Sequence, residues 1–164
     1  AEVVAQDEAS GLALLAPKAP LAPTAFAALS TASPRAGSEV SVAGYSYGER
    51  QPGATLTFGS FDAAEGMGGE AGFARIIAPV MAGDVGGPVL DNTGAVVGVL
   101  LPTPTTGKVP PPGMALAADA ASLGTFLQGA GLTAATSTAT AAATPDALNA
   151  GALGMTVLVS CWAE

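Results

Sequence analysis

Short runs in which apolar and polar residues alternate recur along most of the chain, separated by turns rich in glycine and proline. Alternation with a period of two predicts half-buried β-strands, and the breaks between the runs predict turns. The expected strands cover residues 2–6, 11–15, a short stretch near 25–29, 40–48, 54–62, 73–80, 85–91, 95–102 and a segment that starts at 114.

Spacing and composition predict how some of these strands pair. The first two runs are close enough to form a hairpin, and Asn92-Thr93-Gly94 suits the turn of a second hairpin. The runs at 40–48 and 54–62 are expected to be antiparallel neighbours. The run at 73–80 is mostly apolar, which is typical of a strand buried on both faces.

The pattern changes to a helical one after Asp119, which is a good N-cap residue. One apolar face is formed by Leu123, Phe126 and Leu127. Gly129 or Gly131 can end this helix. A lone catalytic acid is the alternative interpretation of Asp119, and the helix cap is favoured.

The C-terminal part of the chain has a different composition. Residues 132–147 are a low-complexity alanine and threonine segment, which predicts a linker along the surface. Residues 154–162 are almost all apolar and β-rich, which predicts a last strand in need of a partner. We expect that strand to pack back on the domain beside the N-terminal hairpin.

Composition favours one all-β domain. The chain has 164 residues with 22 glycines and 13 prolines, enough for a single core connected by many turns. Several short strands with one helix near the end fit a small antiparallel β-barrel. No apolar run reaches the roughly 18 residues that a transmembrane helix needs.

Charge and chemistry exclude several function classes. The net charge is −8 and the five basic residues are scattered, which argues against nucleic acid and anionic membranes as partners. The chain contains no histidine, so it lacks the commonest general base and metal ligand. It shows neither a metal-binding cluster nor a phosphate loop, and we expect no cofactor. The single cysteine, Cys161, cannot form an internal disulfide and is interpreted as a core residue.

One stretch resembles a known family. Residues 83–88 read Gly-Asp-Val-Gly-Gly-Pro and lead into a hairpin ending in GAVVGVLL. This resembles the nucleophile loop of bacterial trypsin-like serine proteases, which reads Gly-Asp-Ser-Gly-Gly-Pro. Residues 113–128 resemble the final strand and C-terminal helix of that family. Residues 3–15 resemble the family hairpin in which the triad aspartate precedes Leu-Ala-Leu-Leu, and Gly11 stands at that position.

The resemblance implies a fold and a division of the chain. We expect an antiparallel β-barrel of the trypsin-like type, formed by the second barrel and the last hairpin of the first, with a C-terminal helix and one extra C-terminal strand. The expected parts are the hairpin at 1–17, the second barrel with its helix at 18–131, the linker at 132–147 and the terminal strand region at 148–164. An N-terminal remainder of the same protein is an expected partner.

The departures from the family predict that the chain is not an enzyme. Val85 stands at the nucleophile position and has no atom that can attack a carbonyl. Gly11 cannot orient an imidazole, and no histidine is present to be oriented.

The loop can still have either of two roles. The resemblance implies an oxyanion hole formed by the N–H groups of Gly83 and Val85, which needs no side chains and can bind a small anion or a carbonyl. The alternative is a structural barrel corner, with Gly86 and Gly87 allowing close backbone approach and Asp84 making local hydrogen bonds.

The resemblance also implies a cleft. Pro79 occupies the base of the specificity pocket, which predicts an apolar pocket, with ordinary core packing as the alternative. The substrate-binding edge is Leu100, Leu101 and Thr103, where Pro102 lacks an N–H and weakens strand addition. Tyr45, Tyr47 and Trp162 form either a ligand platform or packing at strand ends.

These observations predict a catalytically inactive trypsin-like domain that binds a peptide or protein, or acts as a scaffold. The alternatives are a purely structural domain of a larger envelope protein and a protease fragment inactivated by mutation. Family resemblance further implies an exported protein of the periplasm or cell envelope.

Overall fold

Six antiparallel strands form a closed barrel in the computed structural model, which describes residues 1–105 and 107–160. The strands and helices are β1 Glu2–Asp7, β2 Leu12–Ala16, β3 Leu29–Ser30, β4 Glu39–Gly44, β5 Thr55–Ala63, β6 Phe73–Ile77, β7 Pro88–Asp91, β8 Val96–Leu100, β9 Met114–Asp119, α1 Ala120–Gly129, β10 Thr136–Ser137 and α2 Pro145–Met155.

The barrel closes because β8 pairs with both β7 and β9. The order around the barrel is β4, β5, β6, β9, β8 and β7, and every pair in it is antiparallel. Its core is filled by branched aliphatic side chains such as Val42 and Ile76, both fully buried. The all-β barrel and the antiparallel neighbours β4 and β5 are therefore confirmed.

The N-terminal hairpin forms a separate two-stranded sheet, as predicted. Its turn is fixed by Asp7, whose carboxylate accepts hydrogen bonds from the Ser10 hydroxyl at 2.5 Å and from the Ala9 and Ser10 N–H groups. The Ser10 hydroxyl is the main cause that lowers the pKa of Asp7 below its ordinary value. Gly11 follows with a φ of 71°, which a glycine adopts without strain.

One predicted strand and the predicted linker need correction. β6 ends at Ile77, which is 47% exposed, so the run at 73–80 is not a strand buried on both faces. The predicted linker at 132–147 contains β10, which pairs in parallel with β3, and its last residues begin α2. The boundary at residue 147 therefore falls inside a helix.

The strand predicted at 154–162 is wrong within the described residues. α2 extends to Met155, and residues 156–160 follow without forming a strand, while Cys161 and Trp162 lie outside the described residues. The helix forms because Pro145 suits a first helical turn and the Thr144 hydroxyl accepts the N–H of Ala147 at 3.2 Å. Leu148 and Ala152 are four residues apart and are buried in the same core cluster as Leu90.

Neither helix in the described part of the chain could span a membrane. α1 and α2 are both too short to cross a bilayer, and no helix there combines the required length and apolar character.

Candidate functional site

The Gly-Asp-Val-Gly-Gly loop lies between β6 and β7 at the corner of the barrel. It begins with a single 3₁₀ turn, Ala82–Asp84, and continues through Val85 in an extended conformation. Asp84 is completely buried. Its carboxylate accepts a hydrogen bond from the Ser46 hydroxyl at 2.6 Å and another from the Met81 N–H at 2.8 Å. The buried carboxylate therefore connects the loop to the segment after β4 and fixes the loop conformation.

The glycines of the loop allow close backbone packing. A Cβ at Gly83 would overlap the carbonyl oxygen of Tyr45, and a Cβ at Gly87 would overlap that of Ala43. The Tyr45 N–H donates to the Gly83 carbonyl at 3.1 Å, and this hydrogen bond fixes the position of the loop relative to the segment after β4. Gly86 has a φ of 85°, a conformation that favours glycine. Close packing and backbone conformation therefore explain why glycine occupies these positions, and no bound ligand is needed for that explanation.

Val85 has an exposed side chain, but its N–H already has a hydrogen-bond partner. The side chain is 42% exposed at the surface of the loop. The Val85 N–H donates to the Ala82 carbonyl at 3.3 Å, closing the 3₁₀ turn. Binding of an anion by the N–H groups of Gly83 and Val85, as predicted, would therefore require the hydrogen bond between Val85 and Ala82 to break first.

Gly11 and Val85 line the same cavity, of about 390 Å³. The structure thus brings together the two positions that resemble the triad acid and nucleophile, one from the N-terminal hairpin and one from the loop between β6 and β7. The remaining lining includes Leu14 from β2 and Phe126 from α1. A Cβ at Gly11 would lie 3.2 Å from the Leu101 side chain, so the space beside Gly11 is already occupied by apolar atoms.

A second and larger cavity of about 870 Å³ lies on the other side of the loop. It brings together the predicted cleft residues Pro79, Leu100, Leu101 and Thr103 with Val85. Pro79 is exposed towards it. The predicted apolar pocket at Pro79 therefore corresponds to an open apolar cleft.

Sequence reasoning missed one wall of this cleft. Residues 109–116, which include the proline run at 110–112, line the cavity opposite the loop. The sequence predicts an exposed loop over residues 103–113, stiffened by three consecutive prolines, but it does not show what this loop faces.

The edge beside the cleft offers little backbone for strand addition. The Leu100 N–H donates to the Gly87 carbonyl at 2.9 Å, and the Leu100 carbonyl accepts the Gly86 N–H at 2.8 Å. The Leu101 N–H donates to the Leu116 carbonyl at 2.9 Å. Since Pro102 has no N–H, an added strand would have to bond to residues beyond it, such as Thr103.

Two other candidates have structural roles. The Asp119 carboxylate accepts the Ser122 N–H at 2.7 Å, so Asp119 caps α1 as predicted. The Tyr45 hydroxyl donates to the Thr156 carbonyl at 3.5 Å, while Tyr47 is 67% exposed. Trp162 lies outside the described residues, so a platform of the three aromatic residues stays a prediction.

A closed six-stranded barrel with this loop at its corner and a helix after its last strand matches the trypsin-like fold, as the similarity to solved protease structures reported below shows. The sequence agrees, since residues 1–99 match the model of the trypsin-like peptidase domain. The chain belongs to the trypsin-like peptidase domain family.

One curated relative and several solved structures are similar to the chain. The uncharacterized protein y4bJ of Sinorhizobium fredii is 36% identical over 101 residues, which are 61% of this chain and 16% of that protein. The chain thus spans about a sixth of the curated relative that it matches.

Solved structures of bacterial proteases are among those similar to the chain. An inactive mutant form of Rv3671c from M. tuberculosis has a TM-score of 0.57 at 27% identity, covering 79% of this chain and 64% of that chain. The active form of the Rv3671c protease has the same TM-score of 0.57 at 25% identity, covering 82% and 60%. A serine endoprotease from Yersinia pestis has a TM-score of 0.57 at 24% identity, covering 78% of this chain and 42% of that chain. At this level of identity the similarity shows the fold alone.

Proposed function

We propose that this chain is a catalytically inactive trypsin-like domain that binds an apolar peptide segment in the cleft of about 870 Å³. The observation that carries the proposal is the position of Val85, which lines this cleft where the family nucleophile is expected. Most of its lining residues have apolar side chains, from Pro79 to the proline run at 110–112. A cleft of this kind favours burial of aliphatic side chains over recognition of charge.

The absence of histidine from the sequence supports the inactive assignment. A hydroxyl or thiol nucleophile needs an adjacent base, and this chain offers no imidazole to act as one. The carboxylate next to the nucleophile position in the sequence, that of Asp84, is completely buried and accepts hydrogen bonds from Ser46 and Met81. It therefore cannot substitute for the base without opening the loop.

Restoring only the nucleophile is expected to leave the chain inactive. Val85→Ser places a hydroxyl at a position that is 42% exposed, but the sequence has no histidine to take its proton. We expect no turnover of a casein or ester substrate above that of the unchanged chain. Measurable, active-site-titrated turnover by this variant would contradict the proposal and favour a protease disabled by mutation.

Peptide binding is tested by titrating the chain with short apolar peptides while recording amide NMR signals. Shifts of Gly83, Val85 and Thr103 that saturate together are expected. The variant Val109→Asp adds a charge to the cleft wall at a side chain that is 52% exposed, and should weaken binding about tenfold or more because the carboxylate would lose hydration.

Val4→Asp is the matched control for this experiment. Val4 is 58% exposed on the N-terminal hairpin and does not line the cleft, so this variant should bind peptides as the unchanged chain does. Equal affinity of the two variants would place the peptide elsewhere.

A structural role without a ligand is the second candidate. Its support is the close packing of Gly83 and Gly87 on neighbouring carbonyl groups, which explains the loop by itself. Well-dispersed spectra without shifts at any peptide concentration would favour this candidate over peptide binding.

A further inference from the structure

Residues 156–160, here named the C-terminal segment, follow directly from a helix that is fixed on the barrel. Leu148 and Ala152 bury one face of α2, and the Ala25 N–H donates to the Gly154 carbonyl at 3.4 Å. A Cβ at Gly154 would come within 2.8 Å of Ala25, so the end of the helix packs closely on that part of the chain. The direction in which the C-terminal segment leaves the helix is therefore determined.

Two hydrogen bonds connect the C-terminal segment to the part of the chain that follows β4. Its first carbonyl, that of Thr156, accepts the Tyr45 hydroxyl at 3.5 Å. At its other end, the Ser160 hydroxyl donates to Glu49 Oε1 at 3.3 Å. Between these two contacts, Val159 lines the cavity of about 390 Å³ that Gly11 and Val85 also line. The C-terminal segment thus borders the same cavity as the two positions that resemble the triad acid and the nucleophile.

The chemistry of this cavity suits an aliphatic side chain. Its lining consists of glycine and apolar residues, contributed by β2, the loop, β8, α1 and the C-terminal segment. Leu14, Phe126 and Leu127 are among them. This lining carries no charged or hydroxyl side chain, so a polar ligand would lose its hydration without forming hydrogen bonds in return. A branched aliphatic side chain would instead be stabilised by removal of its apolar surface from water.

We infer that this cavity is a binding site for the chain's own C-terminal segment, which covers its rim through Val159. The occupant is aliphatic in character, since residues 157–159 read Val-Leu-Val. Attachment to α2 keeps the segment at a high effective concentration, so that a weak contact is sufficient to keep it bound.

This site borders the peptide cleft. Val85, Leu100 and Pro102 line both cavities, so they form a shared wall. Release of the C-terminal segment is expected to change the environment of this wall. The inference does not depend on peptide binding in the cleft, because the contacts of the C-terminal segment are present without a peptide.

The test compares Val159→Asp with Val157→Asp in the full chain by methyl NMR. Both valines are 57% exposed, but only Val159 lines the cavity, so the two variants differ in the site and not in surface charge. In Val159→Asp we expect shifts of the Val85 and Leu14 methyl signals and faster amide exchange over residues 157–160. In Val157→Asp the Val85 and Leu14 signals should keep their positions.

Unchanged Val85 and Leu14 signals in Val159→Asp, or equal shifts in both variants, would overturn the inference. Val159→Ala removes methyl groups without adding charge and should shift the same signals by a smaller amount. A failed peptide titration would contradict the proposed function alone, since the methyl shifts are recorded without peptide.

Discussion

Replacing Asp84 with alanine is expected to lower the free energy of unfolding by about 3 kcal/mol or more. The carboxylate is completely buried and accepts hydrogen bonds from the Ser46 hydroxyl and the Met81 N–H. Hydrogen bonds to a charged group contribute about 1.5–3 kcal/mol each, and the variant leaves the donors without their acceptor. Urea denaturation followed by circular dichroism measures the loss.

Asp146→Ala is the control for this substitution. Asp146 is exposed in the first turn of α2, where its charge interacts favourably with the helix dipole. Its removal should cost about 0.5 kcal/mol. Equal losses in the two variants would mean that the Asp84 hydrogen bonds contribute little and that the loop is held by its backbone contacts alone.

Gly87→Ala is expected to cost about 3 kcal/mol or more, because the added methyl group would overlap the Ala43 carbonyl. The same Cβ would lie 2.9 Å from the Asp84 carbonyl, so a shift away from one oxygen meets the other. Both neighbours are backbone atoms, which cannot rotate away as a flexible side chain can. Thermal and urea denaturation measure the effect.

The matched control is Gly129→Ala at the end of α1. No atom lies within 4 Å of a Cβ there, and alanine is the better helix former by up to about 1 kcal/mol. We expect this variant to be as stable as the unchanged chain or slightly more stable. If Gly87→Ala were tolerated equally well, close packing would not explain the glycine, and a ligand at the loop would become the better explanation.

Asp84→Ala and Gly87→Ala together test what stabilises the conformation of the loop that carries Val85. Asp84 and Gly87 fix the barrel corner through contacts with β4 and the segment after it. Large losses in both variants would show that the corner needs these residues for stability. Peptide binding is then decided separately, by the cleft variants at Val109 and Val4.

Local signals in the sequence were sufficient for most of the barrel. Alternation with a period of two identified the strands, since a half-buried sheet imposes that period on each strand. The turn after β7 followed from Asn92-Thr93-Gly94, and the Thr93 N–H does donate to the Asp91 carboxylate at 2.8 Å. Asp119 was recognised as a cap because capping involves residues only three positions apart.

The C-terminal region was harder to predict for a physical reason. Alanine and threonine carry a weak pattern, and α2 is stabilised by burial of Leu148 and Ala152 against distant strands. Nothing in the local sequence specified that burial. The apolar run after it was therefore interpreted as a strand, although residues 156–160 lie beside the loop without forming one.

The sequence by itself determined the barrel strands, the cap of α1, the loop at 83–88 and the lack of histidine, because each is set by residue identity or by neighbours a few positions apart. Only the tertiary structure decided that the Val85 N–H bonds to Ala82, that the prolines at 110–112 face the loop across a cleft, and that Val159 shares a cavity with Gly11. These features depend on how distant segments pack and how a backbone turn closes, and spacing along the chain does not encode either.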